Sequence, residues 1–144
     1  MIIRKMEERD VCEVVTIEEE TFSSPWSAES FIQESKKENN IYLVVEDNEK
    51  VIGYCGLWGI AGEGQITNVA VSKENRDRGI GKQMLTRLIE LGVEQGLEAF
   101  TLEVREGNKR ALHLYESLGF TSAGIRKNFY SKPTENAVIM WLQK

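Results

Sequence analysis

The chain is poor in residues that staple or metallate a fold: its 144 residues include two cysteines, Cys12 and Cys55, and one histidine, His113. The cysteines fit no metal-ligand spacing, so disulfide and zinc chemistry have little support; both are expected as buried small hydrophobes in a reducing compartment. His113 falls between Leu112 and Leu114, on the outer side of a predicted helix, and is assigned to the surface. No apolar run approaches the ~18 residues needed to span a bilayer. The N-terminal MIIRKMEERD turns charged before a signal-peptide core can form. These two absences predict a cytoplasmic protein with no membrane partner. Positive charge is in deficit too, 18 Lys and Arg against 23 Asp and Glu for a net charge of -5, which argues against direct nucleic-acid binding. No linker, low-complexity tract or internal repeat interrupts the sequence, so residues 1–144 are expected to form a single domain.

What is present is a regular alternation of strand and helix signals. Ile2 to Arg4 begins a strand, and Asp10 with Glu13 has N-cap and N3 spacing for a helix carrying Val11, Val14, Val15 and Ile17 and ending near Phe22. Ser27 caps a second helix, with Trp26 and Phe31 at the spacing of a hydrophobic staple. Strands over Ile41–Glu46 and Val51–Trp58 flank the polar turn Asp47-Asn48-Glu49-Lys50, and Gly62–Val71 follows antiparallel. Ile80, Met84, Leu85, Leu88, Ile89 and Gly92 recur at helical spacing up to Gly96. Phe100–Val104 is a strand, and Asn108 caps a helix striped by Ala111, Leu112, Tyr115 and Leu118 and stopped by Gly119. Phe120–Tyr130 and Ala137–Leu142 read as a closing hairpin. The order predicts an α/β fold, a mixed sheet with helices on both faces.

The most informative stretch is Gln65 to Met84, QITNVAVSKENRDRGIGKQM, a strand running through a charged turn into a helix. Unpaired N–H groups of a first helical turn, the positive end of the macrodipole, and Arg76, Arg78 and Lys82 all favour a phosphate there. A nucleotide-triphosphate loop is excluded because Arg76 stands where its first glycine belongs and Gln83 follows Lys82. A dinucleotide fingerprint is excluded because Met84 replaces its third glycine.

The remaining R-x-x-G-x-G at Arg76, Gly79 and Gly81, the segment LEVREGNKRALHLYESLGF from Leu102 to Phe120, and the order of elements together resemble the GNAT (GCN5-related) N-acetyltransferases over essentially the whole chain. Ser24-Pro25-Trp26-Ser27, the Leu102–Arg105 stretch with Asn108 and Leu114-Tyr115, and the tail Arg126–Tyr130 with Glu135–Met140 are similar to the RimI-type branch, bacterial enzymes that acetylate the N-terminal alanine of a small-subunit ribosomal protein. The resemblance implies a mostly antiparallel sheet with a central strand splay. It also implies acetyl-CoA as co-substrate without a metal, and a ribosomal protein N-terminus as peptide substrate.

An α-amine has an ordinary pKa of about 7.7 to 8.0, so it must lose a proton before it attacks a thioester. The resemblance supplies Glu103 as general base, acting through a water, and Tyr115 as general acid toward the leaving sulfur. It further implies that the main chain of Val69, Ala70 and Val71 holds the thioester and pantetheine arm, and that Asn108 bonds that arm besides capping its helix. Arg76 and Arg78 are expected to reach phosphate oxygens, while Gly79, Ile80, Gly81 and Lys82 present main-chain donors. Asp77 is expected to contribute only its backbone, its side chain turned to solvent or a basic neighbour. Trp26 and Tyr130 are candidates for the acceptor groove, although packing explains each equally well.

Departures from the commonest pattern are Asn75 where an aromatic often stands, Arg76 for glutamine, and Phe129 for the first tyrosine of a Tyr-Tyr pair. They bear on the acceptor more than on the chemistry. Two alternatives stay open: the same fold serving a small-molecule amine or a lysine side chain, and a coenzyme A binding module without catalysis.

Overall fold

A computed structural model describes residues 1–144. Its elements are β1 (Ile2–Lys5), α1 (Val11–Thr21), α2 (Ala28–Ser35), β2 (Ile41–Asp47), β3 (Lys50–Ile60), β4 (Glu63–Val71), α3 (Ile80–Glu94), β5 (Ala99–Arg105), α4 (Lys109–Ser117), β6 (Thr121–Tyr130) and β7 (Glu135–Gln143). The predicted order holds, with short 3-10 turns added at Glu8–Asp10 and Lys73–Asn75. The strands form one seven-stranded sheet in the order β1-β2-β3-β4-β5-β7-β6. Every neighbouring pair is antiparallel except β4 and β5.

Alternating side chains divide the core between the two faces of the sheet. Ile41, Leu43, Ile52, Leu57, Phe100, Leu102 and Val104 pack under α3 and α4 against Ile80, Met84, Leu88 and Tyr115. Tyr42, Val44, Tyr54 and Ala70 pack under α1 and α2 against Val11, Val14, Ile17 and Phe31. The Trp26 and Phe31 rings lie 5.2 Å apart, so the staple forms, and Ser27 Oγ accepts from the Ser30 N–H at 3.1 Å. Asn48 and Glu49 take φ of 51° and 65°, the left-handed pair that a two-residue hairpin turn requires.

One irregularity changes which face β4 presents. Between β3 and β4 the register slips, with Gly56 opposite Asn68 but Leu57 opposite Ile66, leaving Thr67 as the extra residue of a bulge. The bulge reverses the alternation: Ile66 belongs to the core under α3 and α4, whereas Ala70 belongs to the core under α1 and α2.

Two sequence expectations are corrected. Cys12 is exposed on α1, because it lies off the Val11, Val14 and Ile17 stripe, and only Cys55 is buried. Asp10 makes no side-chain cap for α1; it accepts from the Glu7 N–H at 2.7 Å and from both Arg4 Nη atoms at 2.8 Å, while Glu13 accepts from the Val51 N–H at 3.0 Å. Burial pushes the Asp10 carboxyl up, but the Arg4 and Glu7 hydrogen bonds and the charges of Arg4 and Arg9 outweigh it, so its pKa lies below the usual range. A depressed folded-state value contributes stability that is complete above the ordinary carboxylate pKa of about 3.9 and is lost as pH falls through the folded value. Asp10→Asn is therefore expected to lower the melting temperature at neutral pH and to flatten its fall below about pH 4, measured by thermal melts from pH 3 to 7.

Candidate active site

The parallel ladder between β4 and β5 is short: Glu63 pairs Ala99, Gly64 pairs Phe100 and Gln65 pairs Thr101, and there it stops. Gly64 suits the paired end, since a Cβ there would stand 2.8 Å from the Phe100 ring. Beyond Gln65 the strands separate around a cleft of about 830 Å³, lined along β4 by Ile66 to Val71 and along β5 by Leu102 to Arg105. The main-chain groups of Val69, Ala70 and Val71 thus line the cleft without a β5 partner.

One end of the cleft is the start of α3. Gly79 is its N-cap with φ of 75° and no side-chain cap, and no acidic residue occupies the first turn. The first bond back to the cap comes from the Gln83 N–H, so the N–H groups of Ile80, Gly81 and Lys82 have no intrahelical partner. A Cβ on Gly79 would meet nothing within 4 Å, whereas one on Gly81 would stand 3.2 Å from Leu114. This open, uncapped and unacidic helix start fits a diphosphate.

Arg76 lines the cleft, its Nε donating to the Val71 carbonyl at 3.1 Å with both Nη groups left over. Arg78 does not line it. Its guanidinium donates to Asn75 Oδ1 at 2.6 Å and lies 3.6 Å from Asp47, so the side chain is turned to these partners rather than into the cleft. Asp77 faces Arg110 at 3.5 Å, the basic neighbour anticipated for it. Asn108 Oδ1 accepts from the Ala111 N–H at 3.2 Å as the cap of α4 and also lines the cleft. His113 is exposed.

Glu103 and Tyr115 reach the same cleft from opposite faces of the sheet. Leu102 and Val104 point into the core under α3 and α4, so Glu103 and Arg105 between and after them point to the α1 and α2 face. Tyr115 comes from α4 on the other face, its ring edge-on to Phe120 at 5.9 Å. Burial raises the Tyr115 phenol well above its ordinary pKa, so it stays protonated. Glu103 Oε2 is buried without an aligned hydrogen-bond donor, although Arg126 Nε lies 3.1 Å away as an ion pair.

Three further residues were not singled out from the sequence. Arg105 ties the walls of the groove on the α1 and α2 face: it donates to Ser23 Oγ at 3.2 Å, to the Ser131 and Pro133 carbonyls at 3.0 and 2.9 Å, and to Glu135 at 3.1 Å. Its guanidinium also lies 4.5 Å from the centre of the Tyr130 ring. Tyr130 lines the cleft, and burial with the Glu103 charge pushes its phenol up to about 12. Glu18, on the buried stripe of α1, accepts from the Tyr54 hydroxyl at 2.5 Å and from the Trp26 N–H at 2.9 Å, fixing the chain that follows α1. Asn68 places its Nδ2 3.5 Å from both Glu18 oxygens. An acidic residue seven positions after Val11 and four after Val14 was the available signal for Glu18. Arg105→Lys removes the planar fork that spans the groove. With the peptide acceptor and acetyl-CoA that the sequence resemblance implies, it is expected to raise the KM for the peptide by about tenfold while leaving that for acetyl-CoA unchanged, as loss of positioning would, read by titrating each substrate separately.

A sheet split between its only parallel strands, with an uncapped helix start at one end and a carboxylate and phenol at the other, defines the acyl-CoA-dependent N-acyltransferase class. The sequence profile of the acetyltransferase (GNAT) family matches residues 11–120, and the chain belongs to that family, whose donor is acetyl-CoA. A Bacillus subtilis protein named provisionally as a [ribosomal protein bS18]-alanine N-acetyltransferase is 38% identical over 97% of this chain and 93% of its own length. The Haemophilus influenzae [ribosomal protein bS18]-alanine N-acetyltransferase is 34% identical over 96% of each chain. The crystal structure of the Escherichia coli ribosomal-protein-S18-alanine N-acetyltransferase superposes with a TM-score of 0.90 at 31% identity, covering 99% of this chain and 92% of that one. No helix is long and apolar enough to cross a membrane.

Proposed function

We propose that this chain transfers the acetyl group of acetyl-CoA to the N-terminal alanine of ribosomal protein bS18, acting in the cytoplasm. The observation that carries the chemistry is the convergence of Glu103 and Tyr115, from opposite faces of the sheet, on the gap between β4 and β5. Coenzyme A supplies an activated thioester. Ile80, Gly81 and Lys82 donate main-chain hydrogen bonds to the diphosphate, with Arg76 beside them, while Asn108 and the free edge of Val69 to Val71 hold the arm and the thioester oxygen. Glu103 takes the proton of the acceptor amine through a water, and Tyr115 donates toward the leaving sulfur. Trp26 and Tyr130 wall the acceptor groove. The acceptor itself is supported by the names of relatives at 33–38% identity over nearly the whole chain. Purified protein offered acetyl-CoA and short peptides beginning with alanine is expected to release thiol; release with free polyamines or lysine but none with such peptides would overturn the assignment.

The raised phenols set the pH dependence. Tyr115 works in its protonated form, and a pKa above the ordinary value keeps that form through the alkaline range. The rate at fixed low peptide concentration is expected to climb through the α-amine pKa of about 7.7 to 8.0 and then hold level to about pH 10. A descending limb near pH 9 would contradict Tyr115 as the donor.

A further inference from the structure

Asn68 carries the one buried amide oxygen in the cleft that nothing in the protein satisfies. The residue is 3% exposed, lines the cleft, and has no partner for Oδ1. Its orientation is fixed chemically. Both Glu18 oxygens act as acceptors, from the Tyr54 hydroxyl and the Trp26 N–H, so the amide turns Nδ2 toward them, 3.5 Å from each, and the carbonyl the other way. Glu18 cannot swing aside to relax this, because Tyr54 Oη and the Trp26 N–H hold its two oxygens.

Register places Asn68 across the gap from Glu103. The last pair of the parallel ladder is Gln65 with Thr101; two residues on, β5 reaches Glu103, and β4, lengthened by the extra residue at Thr67, reaches Asn68. Both side chains lie on the α1 and α2 face, the side of Trp26 and Tyr130. A buried carbonyl without a donor is costly and is normally paired. The group that comes to this place is an amine whose lone pair must face the thioester carbon and whose N–H bonds must point elsewhere.

We propose that Asn68 Oδ1 accepts a hydrogen bond from an N–H of the acceptor's α-amine, with Glu103 drawing the other proton through water, so that Asn68 aims the lone pair and Glu18 orients Asn68. The assignment rests on the proposed N-terminal acetyltransferase function. It holds for the amine only, not for the peptide beyond it, and this makes it separable.

The experiment compares two peptides of one sequence with the CoA complex of wild type and Asn68→Leu: one beginning with alanine, the other with a propanoyl group, which replaces the amine by hydrogen. Calorimetry is expected to show Asn68→Leu weakening the amine-bearing peptide at least tenfold while the propanoyl peptide binds as to wild type, with CoA affinity unchanged and kcat for acetylation reduced. Equal weakening of both peptides, or of neither, overturns the Asn68 assignment. If Asn68→Leu no longer binds CoA, Asn68→Ala carries the same comparison and is judged by the same two outcomes. Failure of wild type to acetylate or bind the alanine peptide overturns the proposed function itself, a different result from either of these.

Discussion

Glu103→Gln is expected to lower kcat for alanine-peptide acetylation by about 10²- to 10⁴-fold at pH 7, with acetyl-CoA affinity unchanged. The amide keeps the size and the burial of the carboxylate but does not accept a proton, so the protonated fraction of bound amine is no longer relieved. Two features make the loss specific to chemistry. Glu103 lies on the α1 and α2 face of the sheet, away from the uncapped start of α3 proposed to hold the diphosphate, and its ion-pair partner is the half-exposed Arg126. Because the missing function is deprotonation, raising the pH toward 10 should narrow the gap to wild type in Glu103→Gln and leave it unchanged in Tyr115→Phe. Burst and steady-state kinetics with both variants, from pH 6.5 to 10, check this; equal narrowing in the two would mean that Glu103 is not the base.

Glu18→Ala is expected to destabilise the protein by about 3 kcal/mol or more and to lower its melting temperature by roughly 10 °C. The Glu18 carboxylate is 2% exposed and serves the Tyr54 hydroxyl, the Trp26 N–H and Asn68 together. Removal strands all three in a cavity within the core under α1 and α2. Tyr54 is the most exposed to the loss of its partner, since its phenol is wholly buried and stays protonated with its pKa far above the ordinary value, held up by burial and by the Glu18 charge. Thermal and urea melts of Glu18→Ala, compared with Glu18→Gln, separate the missing contacts from the missing charge. The glutamine variant keeps one acceptor for Tyr54 but presents an N–H₂ group to donors, so it should fall between wild type and Glu18→Ala.

Much of this molecule is written locally. Ser27 with Trp26 and Phe31, the Asn48-Glu49 turn, the Asn108 cap and Gly79 to Lys82 each depend on neighbours a few residues away, and each forms as its spacing implies. What escaped is non-local. Asp10 reads as a cap until Arg4 and Glu46, brought alongside by the pairing of β1 with β2, claim the same site. The insertion of β7 between β5 and β6 is a pairing over tens of residues with no local marker.

The site divides the same way. The residues singled out within the two contiguous motifs, Arg76, Asp77, Gly79, Ile80, Gly81, Lys82, Glu103, Asn108 and Tyr115, all line one cleft, and Arg78 is the exception. Arg105 stands inside a quoted motif, yet its purpose comes from Ser23, Ser131 and Glu135, residues up to 82 positions away. The bulge at Thr67 is silent in the sequence because an extra residue in a β-rich run changes no composition, although it decides which face Asn68 presents.

The most direct test is a crystal structure with a conjugate in which coenzyme A is joined through its acetyl carbon to the amine of an alanine-initiated peptide. The diphosphate is predicted to sit on the N–H groups of Ile80, Gly81 and Lys82, with the peptide on the α1 and α2 face and the linking carbon in the gap between Glu103 and Tyr115. A peptide bound on the α3 and α4 face, or a diphosphate away from the start of α3, would contradict it.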